Sequence, residues 1–163
     1  MRGSLLILGA LMCFACRPGD AVAGCPEATQ GTWRLKRPAD GVLLAGYGLR
    51  VHPLLNVQKL HTGIDYHGAI GDPVRAAAPG EVVAAGYKGQ HGNFVRIRHG
   101  DGMETTYAHL VRFSVKAGDC VGAEARIGDL GSTGLSTGPH LHFEVLRDGA
   151  PIDPLAVLGK DLP

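Results

Sequence analysis

From Val42 onward, apolar and polar residues alternate with a period of two in a series of short runs. In GPHLHFEV (138–145), an extended chain sends Leu141, Phe143 and Val145 to one face and His140, His142 and Glu144 to the other. The same reading of ETTYAHL (104–110) puts Thr105, Tyr107 and His109 on one face, with Ala108 and Leu110 opposite. The runs PVRAA, GEVVAAGY, NFVRIRH and ARIGDLG are also bounded by glycine-rich turns and read as strands. A helical period is sustained nowhere. The closing DPLAVLGK alone suits one short helix, with Asp153 as N-cap and Pro154 in the first helical position. The pattern predicts a mainly β, antiparallel domain over residues 42–158, a sheet or sandwich with one short C-terminal helix and a tail at 159–163. Residues 24–41, rich in breakers and without periodicity, read as an N-terminal arm.

Length and charge narrow the class. A chain of 163 residues suits one domain, and a formal net charge of +1 gives no reason to expect nucleic acid as a partner. With 45% hydrophobic and 19% charged residues, disorder is not indicated. Nothing in the pattern calls for an oligomer, so a monomer is expected.

The first residues have their own logic. Arg2 is followed by an apolar stretch from Leu5 to Ala15 and by the small-residue site Ala21-Val22-Ala23, the order of a signal peptide over residues 1–23. The apolar stretch is too short to span a bilayer, so no transmembrane segment is expected after processing and the product is exported to the periplasm or beyond. Cleavage removes Cys13 and Cys16 and leaves Cys25 and Cys120, which can pair in an oxidising compartment. A weaker alternative reads Val22-Ala23-Gly24-Cys25 as a lipoprotein box with Cys25 as the lipid anchor.

The polar faces carry the chemistry. KLHTGIDYHG sets His61 and Asp65 four apart around a glycine, and imidazole with carboxylate suits zinc better than calcium or magnesium. His109, His140 and His142 stand on polar strand faces beside glycine turns. Each motif alone is weak, since aspartates serve turns and lone histidines are commonly structural. Together they offer five groups. A catalytic zinc ion takes three protein ligands and leaves a position for water, so five groups divide into three ligands and two helpers, as metal-assisted hydrolysis requires. Spacing alone leaves open which are which. The thermolysin arrangement is excluded, because the sequence has no H-E-x-x-H.

GYGLRVHPLLN, HTGIDYHG, YAHL and GSTGLSTGPHLHFEV, in that order, resemble the M23 zinc peptidases of the lysostaphin and LytM type, from about Gly46 to Leu158. The resemblance implies a compact β fold with a substrate groove, one bound Zn2+ ion, and endopeptidase action on peptidoglycan stem peptides or cross-bridges. It implies His61, Asp65 and His142 as zinc ligands and His109 and His140 as the catalytic pair. It also allows a non-catalytic wall-binding or amidase-activating module, although such relatives often lack some of the five residues. Glu144 reads either as a carboxylate orienting a ligand imidazole or as a solvated side chain. Tyr107 reads as an oxyanion donor or a packing residue, and Arg50 and His52 as groove residues. His52, on its turn-like setting alone, and likewise His67, His91 and His99 read as structural.

Overall fold

The computed structural model describes Cys25 and residues 34–51 and 53–159. The expected signal segment, His52 and residues 160–163 lie outside the described residues. Among the described residues, thirteen strands form in chain order. They are β1 (Val42–Ala45), β2 (Gly48–Val51), β3 (Gln58–His61), β4 (Ile64–His67), β5 (Pro73–Arg75), β6 (Gly80–Lys88) and β7 (Gly92–Gly100). The rest are β8 (Met103–Leu110), β9 (Arg112–Phe113), β10 (Cys120–Val121), β11 (Arg126–Asp129), β12 (His140–Arg147) and β13 (Ala150–Ile152). Every pairing between these strands is antiparallel, so the expected fold class is the observed one.

The main sheet runs β1-β4-β12-β8-β7-β6-β10, with β13 added to the second half of β12. A three-stranded sheet, β5-β11-β9, supplies Val74 and Ile127 to the same buried cluster as Ile64, Val95, Ile97, Tyr107, Leu141 and Phe143. Hairpin β2–β3 forms its own ladder. The six runs read as strands from their alternation are β5, β6, β7, β8, β11 and β12. The predicted C-terminal helix is a single 3-10 turn, Pro154–Ala156, and Asp153 caps it by accepting from Leu155 N at 3.0 Å.

The second half of the arm is part of the core. Leu35 and Ala39 are buried, Leu35 bridges to Leu158, and Lys36 N donates to Ala77 O at 2.8 Å. A disulfide joins Cys25 to Cys120 on β10, fastening the arm across 95 residues of sequence. The same Sγ cannot also carry a lipid, so this pairing speaks against anchoring through Cys25.

The register of β4 against β12 decides which residues meet. Phe143 opposes Ile64 and Leu141 opposes Tyr66, so these four share the core face. His142 opposes Asp65, which places both on the other face. That face, with hairpin β2–β3 beside it, holds the candidate site.

Candidate metal centre and groove

A groove of about 480 Å³ lies over this face. The five candidate residues all line it, contributed by β3, β4, β8 and β12. At its centre three atoms converge: His61 Nε2 is 3.1 Å from Asp65 Oδ1 and 3.1 Å from His142 Nδ1, and His142 Nδ1 is 2.8 Å from the same Asp65 oxygen. Asp65 is nearly buried, and its other oxygen, Oδ2, accepts from Arg50 at 3.1 Å.

Anchoring bonds fix which nitrogen each imidazole presents. His61 Nδ1 donates to Gly46 O at 2.7 Å, which directs its Nε2 lone pair at Asp65 and His142. His142 is reversed: Nε2 donates to Glu144 Oε1 at 3.2 Å, and Nδ1 faces the centre. With these tautomers, two imidazole lone pairs and a carboxylate oxygen face one another with no proton between them, an arrangement that a cation relieves. The spacing suits zinc, since a tetrahedral ion with bonds of about 2.0–2.1 Å holds its ligand atoms about 3.3 Å apart. Without the ion a proton takes that place. Burial disfavours the charged form of His142, but hydrogen bonds and attraction from Asp65 and Glu144 outweigh it and raise the imidazole to about 9. Burial likewise opposes ionisation of Asp65 and Glu144, and their hydrogen bonds, His142 foremost, hold both carboxyls well below the usual range.

Glu144 is therefore the buried acceptor that orients His142, one of the two readings its sequence position allowed. It also accepts from Thr62 Oγ1, and His91 Nε2 lies 3.6 Å away. His91, expected to be structural, instead lines the groove from the 3-10 turn Gly89–His91. The turn sequence GQHG carries no signal of that role. His99 is structural as expected, buried between Pro79 O at 2.8 Å and Thr105 Oγ1 at 2.7 Å.

The other two histidines sit side by side, with ring centroids 4.7 Å apart. His140 Nδ1 donates to Gly138 O at 2.8 Å and His109 Nδ1 to Thr133 O at 2.8 Å, so each presents Nε2 as an acceptor. His140 Nε2 is 3.9 Å from Asp65 Oδ1. Burial pushes His109 down to about 4, with the neighbouring His140 and His142 adding to the effect, so it is neutral at neutral pH.

His109 reaches this face by breaking the strand period. Strict alternation put it with Thr105 and Tyr107, but those two side chains are buried in the core: Tyr107 opposes Phe143, and its hydroxyl accepts from Ala77 N at 2.8 Å and Thr105 Oγ1 at 2.9 Å. Burial raises that phenol to about 12, and the oxyanion reading of Tyr107 is set aside in favour of packing. Between the pairs Val95↔Tyr107 and Asn93↔Leu110 the register slips, so Ala108 and His109 together oppose Phe94. His109 takes φ 63°, a bulge that turns its imidazole into the groove. Neighbouring side chains fix the bulge. Asn93 Nδ2 donates to Leu110 O at 3.1 Å, and Thr133 Oγ1 donates to the same carbonyl at 2.8 Å.

Residues 59–154 match the family model for Peptidase family M23. The chain is 52% identical over 111 residues to the DD-carboxypeptidase/endopeptidase Mpg of Neisseria meningitidis, covering 68% of this chain and 26% of that protein. It is 44% identical over 108 residues to the peptidoglycan DD-endopeptidase ShyC of Vibrio cholerae, covering 66% of this chain and 25% of the relative. A solved zinc-containing peptidase from Vibrio cholerae superposes with a TM-score of 0.68 at 35% identity, over 77% of this chain and 39% of that one. This chain thus spans about a quarter of the length of these curated relatives. With the matched segment holding all five convergent side chains, the chain belongs to peptidase family M23.

Proposed function

We propose that the protein is an exported zinc endopeptidase that hydrolyses peptide bonds in bacterial peptidoglycan stem peptides or cross-bridges. The observation that carries this reading is the division of the five residues into two sets. His61, Asp65 and His142 aim one nitrogen or oxygen atom each at one point, and His109 and His140 aim Nε2 into the open groove beside it. Zinc bound by the first three supplies Lewis-acid polarisation of a scissile carbonyl and acidification of water.

The remaining work falls to the chain's own side chains. Neutral His109 accepts a proton at Nε2 from the attacking water, and its Nδ1 bond to Thr133 O steadies the ring as charge develops. His109 then returns that proton from Nε2 to the departing amine, while His140, held by Gly138 O and by Ser136 Oγ at 3.3 Å, orients the water through its Nε2 acceptor. Apolar side chains of Leu44, Leu54, Leu60 and Leu135 line the groove and displace water along a bound peptide. Peptidoglycan is the proposed substrate because the curated relatives named above include a peptidoglycan DD-endopeptidase. Residues 1–23 serve as signal peptide, and the Cys25–Cys120 disulfide suits an oxidising compartment. N-terminal sequencing of exported protein should then start at Gly24.

Digestion of purified peptidoglycan, with products identified by mass spectrometry, tests the activity. Cleavage of peptide bonds that stops with chelator and returns with zinc is the expected result. Intact peptides in the presence of bound zinc would favour a wall-binding or amidase-activating module of the same fold, a reading that leaves the oriented His109 and His140 without work.

A further inference from the structure

Among the described residues, the groove lining includes two basic side chains, Arg50 and Lys59. Arg50 is committed to Asp65. Lys59 is not neutralised: its ammonium donates to the neutral amide oxygen of Gln90 at 2.9 Å, and among the described residues no carboxylate lies within 4.0 Å of it. It stands on β3 two residues before His61, about 7 Å along the strand, the length of two residues of an extended peptide. From β3 the exposed side chain reaches Gln90 of the Gly89–His91 turn, which is exposed as well. The next residue of that turn, His91, also lines the groove.

We propose that Lys59 and Gln90 form a carboxylate-binding subsite that fixes a peptide ligand by an anionic group about two residues from the metal centre. Lys59 supplies the charge. Gln90, whose oxygen takes the ammonium, keeps its amide NH2 free to donate to the same carboxylate. A neutral peptide segment passing this point leaves the ammonium with its weaker amide partner, whereas a carboxylate replaces an ion–dipole contact with an ion pair. The carboxylate has two possible sources, the free C-terminus of the peptide or an acidic side chain, and both present the same chemistry. The inference rests on the peptidase reading of the groove and names the substrate feature that the groove selects.

The test compares three synthetic peptides of one D-alanyl sequence: with the C-terminal carboxylate free, with that terminus amidated, and with the acidic side chain amidated instead. Binding is read by fluorescence anisotropy of labelled peptide, and hydrolysis by kcat and KM, for the full chain, Lys59→Met and Lys59→Arg, with zinc per chain measured for each. Wild type should bind the peptide carrying the recognised carboxylate about two- to fivefold more tightly than its amidated form, a preference that salt weakens. Lys59→Met should lose that preference in Kd and KM with zinc content retained, and Lys59→Arg should keep most of it. Which amidation removes the preference identifies the source of the carboxylate. Equal binding of all three peptides by wild type, or a preference that survives in Lys59→Met, overturns the subsite. Failure to hydrolyse any peptide overturns the peptidase reading instead, and the binding series still decides the subsite.

Discussion

Raising the pH should strengthen zinc binding in a way the structure quantifies. In the metal-free centre His142 is raised to about 9 by its bonds to Asp65 and Glu144, so at neutral pH its Nδ1 holds the proton that zinc must displace. At pH 7.5, about 1.5 units below that value, only about one molecule in thirty has a free Nδ1, a penalty of about 2 kcal/mol. Between pH 7.5 and 8.5 the apparent zinc affinity should therefore rise about eightfold, with close to one proton released per ion bound. Competition against a chromophoric chelator measures the affinity, and calorimetry in two buffers of different protonation enthalpy counts the proton. The stability of the chelated protein should move the other way. A raised folded-state pKa contributes stability that is fully present below about pH 6.5 and lost as pH rises through about 9, here about 3 kcal/mol from this group. Zinc affinity that is flat across the window, with no proton released, would refute the idea that His142 exchanges a clamped proton for the metal.

Three substitutions probe the supports of the site. Glu144→Gln removes the charged acceptor behind His142 Nε2 and should weaken zinc about 10- to 100-fold in the same competition assay, with the fold intact by circular dichroism. Gly131→Ala would place a Cβ 2.3 Å from Val111 N and 2.7 Å from His109 O; it should lower stability by about 1–3 kcal/mol in urea unfolding and depress kcat through the displaced bulge. Cys120→Ser opens the tether between the arm and β10 and should cost about 2–4 kcal/mol of stability, measured by denaturant midpoint, with zinc content unchanged.

The parts of the fold legible in the sequence are those where the period-two rule holds without interruption. On β12, alternation separates His140, His142 and Glu144 from Leu141, Phe143 and Val145, and the structure keeps that separation throughout. The short strands β1 to β3 were not legible. Their side chains are largely exposed, including Val42, Leu44, Leu49 and Val51, so no buried face imprints a pattern. Leu35 and Ala39 were missed for the opposite reason, since they enter the core as single residues of an irregular segment. The five candidate residues were legible as a set because their types are rare on strand faces. The placement of His109 was reached for the wrong reason, as the bulge that delivers it depends on Asn93 and Thr133, residues distant in sequence. His91 enters the groove through the β6–β7 turn, a contact that no local pattern encodes.

The account rests on a division between residues that hold metal and residues that act on the attacking water, and one paired measurement addresses it: zinc per chain and peptidoglycan-peptide turnover on the same samples of wild type, His142→Ala, His109→Ala and His140→Ala. His142→Ala should lose zinc and turnover together. His109→Ala and His140→Ala should keep one zinc while turnover falls about 10²-fold or more each, and their double variant should fall by less than the product. Release of zinc by His140→Ala while His142→Ala retains it, or full turnover in either helper variant, would contradict the division.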